Sequence, residues 1–193
     1  NDISRWAETH DGWAAPNPGL DHWNRVEVDN QHLQDNGHDA HGLTIDWARI
    51  EPREGEFDEA AIQHYRDEIE SLRRHGMEPI VTLMQYALPP WLAEEGGVLS
   101  PRAPELFAEF SRKMGEELGD DVTWWKTMNE PNTLAAAGYL AGVWAPGEQS
   151  PTAMMDALEG QLRMHAASAT ALHEVAKEHH REAKVGIAYI DDK

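Results

Sequence analysis

Cysteine is absent from the 193 residues, which excludes disulfides and thiolate chemistry and leaves the redox compartment undetermined. Basic residues are scarce: 16 Lys and Arg against 35 Asp and Glu give a formal charge of −19. That balance repels nucleic acid and anionic membranes and suits a neutral substrate better than a polyanionic one. No apolar run approaches the roughly 20 residues of a membrane span, and no charged-then-apolar leader opens the chain, so a soluble, cytoplasmic protein is expected. The first residue is Asn1 and not Met, so a leader or a first strand could lie upstream. No repeat and no linker-like composition divides the chain, which is long enough for one sizeable core and short for two. The acidic residues of segments 51–59, 105–121 and 174–182 are expected on solvated helix faces.

The chain is organised around residues 122–131, Val-Thr-Trp-Trp-Lys-Thr-Met-Asn-Glu-Pro. Its opening is rich in β-branched and aromatic side chains, which suits a buried parallel strand, and Pro131 stops the ladder just after Asn129 and Glu130. A carboxylate thus arrives at a strand's C-terminal end, the face on which parallel α/β barrels carry their catalytic groups. Trp124 and Trp125 adjoin, so one faces into such a barrel and the other faces its helices.

The remaining elements alternate. Residues 1–19, with Trp6, Trp13, Pro16 and Pro18, lack a usable period and read as loop. Residues 20–35 suit a polar helix ended by Gly37, and 41–50 read as a strand followed by a turn at Gly55. Asp58 caps a helix in which Ile62, Tyr65, Ile69 and Leu72 share a face, with His75 and Gly76 at its end. A strand at 78–83 is followed by a loop from Leu88-Pro89-Pro90-Trp91 to Leu99. Ser100-Pro101 then opens a helix faced by Leu106, Phe107, Phe110, Met114 and Leu118. A long loop is expected at 132–149. Ser150-Pro151 starts a helix with Met154, Leu158, Leu162, His165, Ala169 and Leu172 on one side, and 185–190 is a last strand. The order, strands separated by helices, predicts α/β architecture with parallel connections.

Several stretches resemble the family 1 glycoside hydrolases, the retaining β-glucosidase and β-galactosidase family built on the (β/α)₈ barrel. They are residues 44–52 (Thr-Ile-Asp-Trp-Ala-Arg-Ile-Glu-Pro), 55–58 (Gly-Glu-Phe-Asp) with Tyr65, 81–83 (Val-Thr-Leu), 88–92 (Leu-Pro-Pro-Trp-Leu) and Gly96-Gly97. The resemblance continues through 125–132 (Trp-Lys-Thr-Met-Asn-Glu-Pro-Asn), Gly138-Tyr139-Leu140, Gly142 and Pro146-Gly147. It implies a partial (β/α)₈ barrel, strands two to five with their helices, and residues 1–193 as the N-terminal part of one barrel domain. It also implies Glu130 as general acid/base and Asn129 as a ligand of the sugar 2-hydroxyl. The mechanism needs a second carboxylate about 5–5.5 Å away as nucleophile. No cofactor or metal is implied, and the partner is a neutral sugar or β-glycoside.

The family's nucleophile lies in a Glu-Asn-Gly motif that this sequence does not contain; Asp35-Asn36-Gly37 has similar letters but reads as a helix stop. Gly42 occupies the position of an arginine that bonds the nucleophile, a charge-assisted contact worth roughly 1.5–3 kcal/mol. Gln85 stands where a sugar-binding histidine is usual, and an amide can still donate and accept. Trp91 and Trp144, in segments beyond strand ends, either stack on a sugar ring or pack the loops, and Trp144 is expected to be a substrate contact. Arg49 either orients a carboxylate or pairs with Asp46 or Glu51. The eleven histidines include no His-Glu-x-x-His, and His173, His179 and His180 read as solvated helix surface. A β-glucosidase-like hydrolase follows, with two alternatives: a non-catalytic half-barrel that at most binds sugar, and a cellulase-like glycanase that also ends a strand in Asn-Glu. Four strands leave two open edges, through which self-association is expected; two copies would supply the eight strands of a closed barrel.

Overall fold

The computed structural model describes residues 1–10 and 19–190. The expectation of loop around Trp13, Pro16 and Pro18 lies outside the described residues. Among those described, a parallel sheet runs in the order β1 (Ala40–Thr44), β2 (Glu78–Met84), β3 (Trp124–Asn129) and β4 (Lys184–Ala188). Neighbours in sequence are neighbours in the sheet, the strand order expected of a (β/α)₈ barrel segment.

Helices precede and connect the strands. They are α1 (Asp2–Thr9), α2 (Val26–Asp35), α3 (Trp47–Ile50), α4 (Glu59–Arg74), α5 (Pro90–Glu94), α6 (Ala103–Leu118), α7 (Pro131–Leu134) and α8 (Pro151–Glu178). Asp58 accepts from the amides of Ala60 and Ala61 and starts α4; Ser150 accepts from that of Ala153 and starts α8. The apolar faces expected of α4 and α6 are buried. Trp125 is buried toward the helices, whereas Trp124, Ile80 and Lys126 line the opposite, concave face. Among the described residues no helix is long and apolar enough to cross a membrane.

Several expectations are corrected. Residues 2–9 form helix α1, because Asn1 accepts from the amide of Ser4 and the side chain of Asp2 accepts from the amides of Ile3 and Leu88. The helix expected over 20–35 is split: a 3₁₀ turn at His22–Asn24 precedes α2, and Arg25 between them departs from helical geometry. The strand expected over 41–50 ends at Thr44, because the Asp46 carboxylate accepts from the amide of Ala48 and starts α3. The segment after Pro89 turns into α5 with Pro90 at its first position. Ser100 caps only a turn, and α6 begins at Ala103. Residues 131–140 are helical, α7 running into a π-turn at Ala135–Leu140. Glu51 is not on a solvated face: it is buried, accepts from Trp47 Nε1 at 2.7 Å and from the Gly55 amide at 2.8 Å, and burial pushes its carboxyl up.

The buried face of α8 differs from the one its apolar residues predict. Leu162 is 49% exposed, while Ala157, Gln161, Met164, Ser168, Leu172 and Val175 are buried. The packing requirement there is smallness: Ser111 and Ser168 hydroxyls meet at 2.6 Å across the α6–α8 contact. The same closeness governs Gly160, where an added Cβ would stand 2.2 Å from the Val98 carbonyl oxygen. Gly160→Ala gains up to about 1 kcal/mol of helix propensity but overpacks against backbone at a cost of about 1–3 kcal/mol. A net loss of stability is expected in urea unfolding; a stabilised variant would contradict it.

Histidine ties the N-terminal segment to α4. His22 Nδ1 lies 2.8 Å from Asp29 and Nε2 3.1 Å from buried Glu68. Burial opposes its charge, but the hydrogen bonds and charges of the two carboxylates outweigh it and raise its pKa, whereas burial lowers those of nearby His41 and His64. A raised folded pKa contributes stability that is complete below the unfolded value of about 6.5 and is lost as pH rises through the folded pKa. The stability difference between the wild type and His22→Gln should therefore shrink from pH 6 to pH 9. A gap that widened toward alkaline pH would refute this.

Candidate active site

The sheet's C-terminal edge assembles the polar residues. Glu130 follows β3 and adopts φ 47°, a left-handed conformation that costs a non-glycine residue about 1–2 kcal/mol. Three contacts hold this turn: the Glu130 amide donates to the Ala188 carbonyl at 2.9 Å, buried Gln161 of α8 donates to the Pro131 carbonyl at 3.0 Å, and Thr127 bonds His165 of α8 at 2.8 Å. Tyr86, beyond the end of β2, is likewise left-handed at φ 68°. The two strained residues are bonded: the Tyr86 hydroxyl donates to Glu130 Oε2, and it accepts from Asn129 Nδ2 at 2.9 Å. Burial, together with the hydrogen bond to Glu130 and its charge, pushes the Tyr86 phenol up to about 12, so it is a hydrogen-bond donor across the physiological range. Asn129 Oδ1 in turn accepts from Lys126 Nζ at 3.0 Å.

Gln85 lies at the same mouth, exposed, with its Oε1 accepting from Thr44 at 2.7 Å. Its amide nitrogen is left to donate to a ligand. Trp144 packs its ring on Tyr86, centroids 5.1 Å apart, so all four residues singled out in the sequence, Glu130, Asn129, Gln85 and Trp144, sit around Tyr86 or one strand from it. Tyr86 itself was missed: the sequence offers only a tyrosine between Gln85 and a proline-rich segment. It also lines a largely apolar cavity of about 480 Å³ with Leu88, Leu134, Tyr139 and Pro146.

Other candidates are structural. Trp91, in α5, donates to the Glu51 carbonyl at 2.9 Å and packs edge-on against Trp47, so its role is packing. Among the described residues Arg49 pairs with no carboxylate; its guanidinium lies over the Trp23 ring at 3.9 Å. Asn36 and Gly37 end α2, the glycine at φ 78°. Gly42 faces open space on the concave side, its nearest neighbour for an added Cβ being the Ile80 carbonyl at 4.0 Å. His173, His179 and His180 are exposed, and among the described residues no cluster of acidic and histidine side chains is placed to hold a metal.

Comparison with known proteins agrees with this architecture. The family model described as glycosyl hydrolase family 1 matches residues 3–192. β-Glucosidase A of Thermotoga maritima is 34% identical over 170 residues, covering 88% of this chain and 37% of that protein. β-Glucosidase 6 of Oryza sativa subsp. japonica is 39% identical over 133 residues, covering 68% and 26% respectively. The solved family 1 β-glucosidase from Thermotoga maritima superposes with a TM-score of 0.83 over 88% of this chain and 37% of that one. The AHE enzyme from Alicyclobacillus herbarius superposes with a TM-score of 0.88 at 28% identity, covering 97% and 42%. The 193 residues thus span well under half the length of these relatives, and the parallel sheet is part of a (β/α)₈ barrel. With the Asn-Glu pair at the strand's end, the strand order and the match over nearly every residue all agreeing, this chain belongs to glycosyl hydrolase family 1.

Proposed function

We propose that these residues form the N-terminal part of a single barrel domain and supply the acid/base half of a retaining β-glycosidase acting on a neutral β-linked glucoside. Glu130 gives a proton to the departing oxygen and afterwards takes one from water. Asn129 holds a sugar hydroxyl, Gln85 donates a further hydrogen bond, and Trp144 offers an aromatic face. The observation that carries this reading is the position of Glu130, at the C-terminal mouth of a parallel sheet whose strands follow one another in barrel order. Relatives support the sugar class: the Thermotoga maritima β-glucosidase is solved in complex with glucoimidazole and with deoxynojirimycin. The nucleophile is assigned to polypeptide other than these 193 residues, since they contain no Glu-Asn-Gly.

A second reading applies to the 193 residues by themselves: a non-catalytic half-barrel that at most binds sugar. The absent motif and Gly42, which brings no side-chain donor to the concave face, favour it. Titration of the purified chain with glucoimidazole, beside an aryl β-glucoside assay, separates the two. Binding without turnover supports the second, and turnover by the chain ends it. The outer edges of β1 and β4, unpaired among the described residues, are proposed to self-associate, and a clean monomer in light scattering would remove that.

A further inference from the structure

Lys126 is the one charged residue in β3, and it is partly buried on the concave face below Glu130. Among the described residues its ammonium has no ion pair, and Asn129 Oδ1 at 3.0 Å is the one hydrogen-bond partner of its side chain. In a regular strand, residues three apart point to opposite faces; the register shift between Lys126 and Asn129 brings these two together.

We infer that Lys126 and Tyr86 are positioning residues of this site, acting through one directional chain of hydrogen bonds that ends on Glu130. The inference rests on the reading of Glu130 as acid/base. An ammonium donates and never accepts, so the side of the Asn129 amide that meets Lys126 must be its oxygen. The NH₂ group is thereby turned to Tyr86, whose oxygen accepts it. A hydroxyl has one hydrogen, and that hydrogen is committed to Glu130 Oε2. Every orientation follows from the first: reversing the amide would set NH₂ against the ammonium and leave Tyr86 to donate to Asn129 in place of Glu130. The bonds also polarise one another in the same sense, each donor made stronger by the one behind it.

The arrangement determines what a ligand meets. Asn129 keeps one N–H hydrogen, so the group it touches must accept, as a sugar hydroxyl oxygen can. Glu130 keeps Oε1, while Tyr86 restrains its other oxygen. Lys126 therefore selects for an acceptor opposite Asn129 without touching the ligand, and Tyr86 sets the direction of the carboxyl.

The test is the side-chain amide signal of Asn129 in ¹H–¹⁵N spectra of the whole ¹⁵N-labelled chain, identified by its loss in Asn129→Asp. In Tyr86→Phe, which keeps the ring, the hydrogen-bonded Nδ2 proton should shift toward the value of a free asparagine and exchange faster with water. Lys126→Met should move both protons of the pair while leaving the backbone amides of β3 in place, and Lys126→Arg should restore them. An Asn129 pair unmoved by either Tyr86→Phe or Lys126→Met would overturn the inference, and so would a β3 backbone that shifts as much as the side chain. None of these signals depends on turnover. Unchanged hydrolysis in Glu130→Gln, assayed in a polypeptide that also supplies the second carboxylate, would remove the acid/base reading and leave the hydrogen-bond chain standing, whereas unmoved spectra would do the reverse.

Discussion

Glu130→Gln, assayed in a polypeptide that also supplies the second carboxylate, is expected to slow hydrolysis of an alkyl β-glucoside by about 10²–10⁴-fold, the usual worth of a positioned general acid. The amide keeps the size and much of the hydrogen bonding of the carboxyl, including an oxygen for the Tyr86 hydroxyl, but has no acidic proton to transfer. The loss should depend on the leaving group. An alkoxide is a poor leaving group and needs the proton; a strongly acidic phenol departs as its anion and does not. Measured as kcat/KM over a series of aryl and alkyl glucosides, the ratio of wild type to variant should therefore grow as leaving-group acidity falls. Equal rates throughout, or a uniform loss, would take Glu130 out of the proton-transfer step.

The second large effect is on stability. Trp47 is 2% exposed and stands among Phe110 at 4.9 Å, Phe107 at 5.3 Å and Trp91 at 5.9 Å between ring centroids. Its indole also gives buried Glu51 one of its two hydrogen bonds. Trp47→Ala is expected to cost about 3–5 kcal/mol through the cavity and lost transfer energy, a large share of a typical 5–15 kcal/mol domain stability. Trp47→Phe separates the contributions: the ring remains in part, and the cost of about 1–3 kcal/mol reflects a buried carboxyl short of a donor. Urea midpoints measure both. A Trp47→Ala chain within about 1 kcal/mol of wild type would behave like a surface substitution and would show that this cluster does not hold the fold.

The readable parts of the sequence were those where one residue acts on its own neighbours. Asp58 and Ser150 start α4 and α8 by accepting from amides two and three residues on, and the period of Ile62, Tyr65, Ile69 and Leu72 describes a face of their own helix. Asp46 obeys the same rule and was passed over only because the β-branched and aromatic residues around it look like strand. Failures came where the partner is distant. The buried face of α8 follows from how near α6 lies, which Gly115 and Ser111 allow, and not from which α8 residues are apolar. Arg49 was expected on an acid nearby and lies on an indole from a segment 26 positions earlier.

By itself, the sequence determined the alternation of the four strands with the long helices α4, α6 and α8, the arrival of Asn129 and Glu130 at the end of β3 and, through its spaced motifs, the family. Those properties are local or cumulative along the chain. Only the tertiary structure decided that Tyr86 holds Glu130, that Asn129 turns its oxygen to Lys126, and that Gln85 is bonded to Thr44 across two strands. Such contacts depend on strand register and on a bulge that rotates one side chain relative to another, and neither leaves a mark in the spacing of residues.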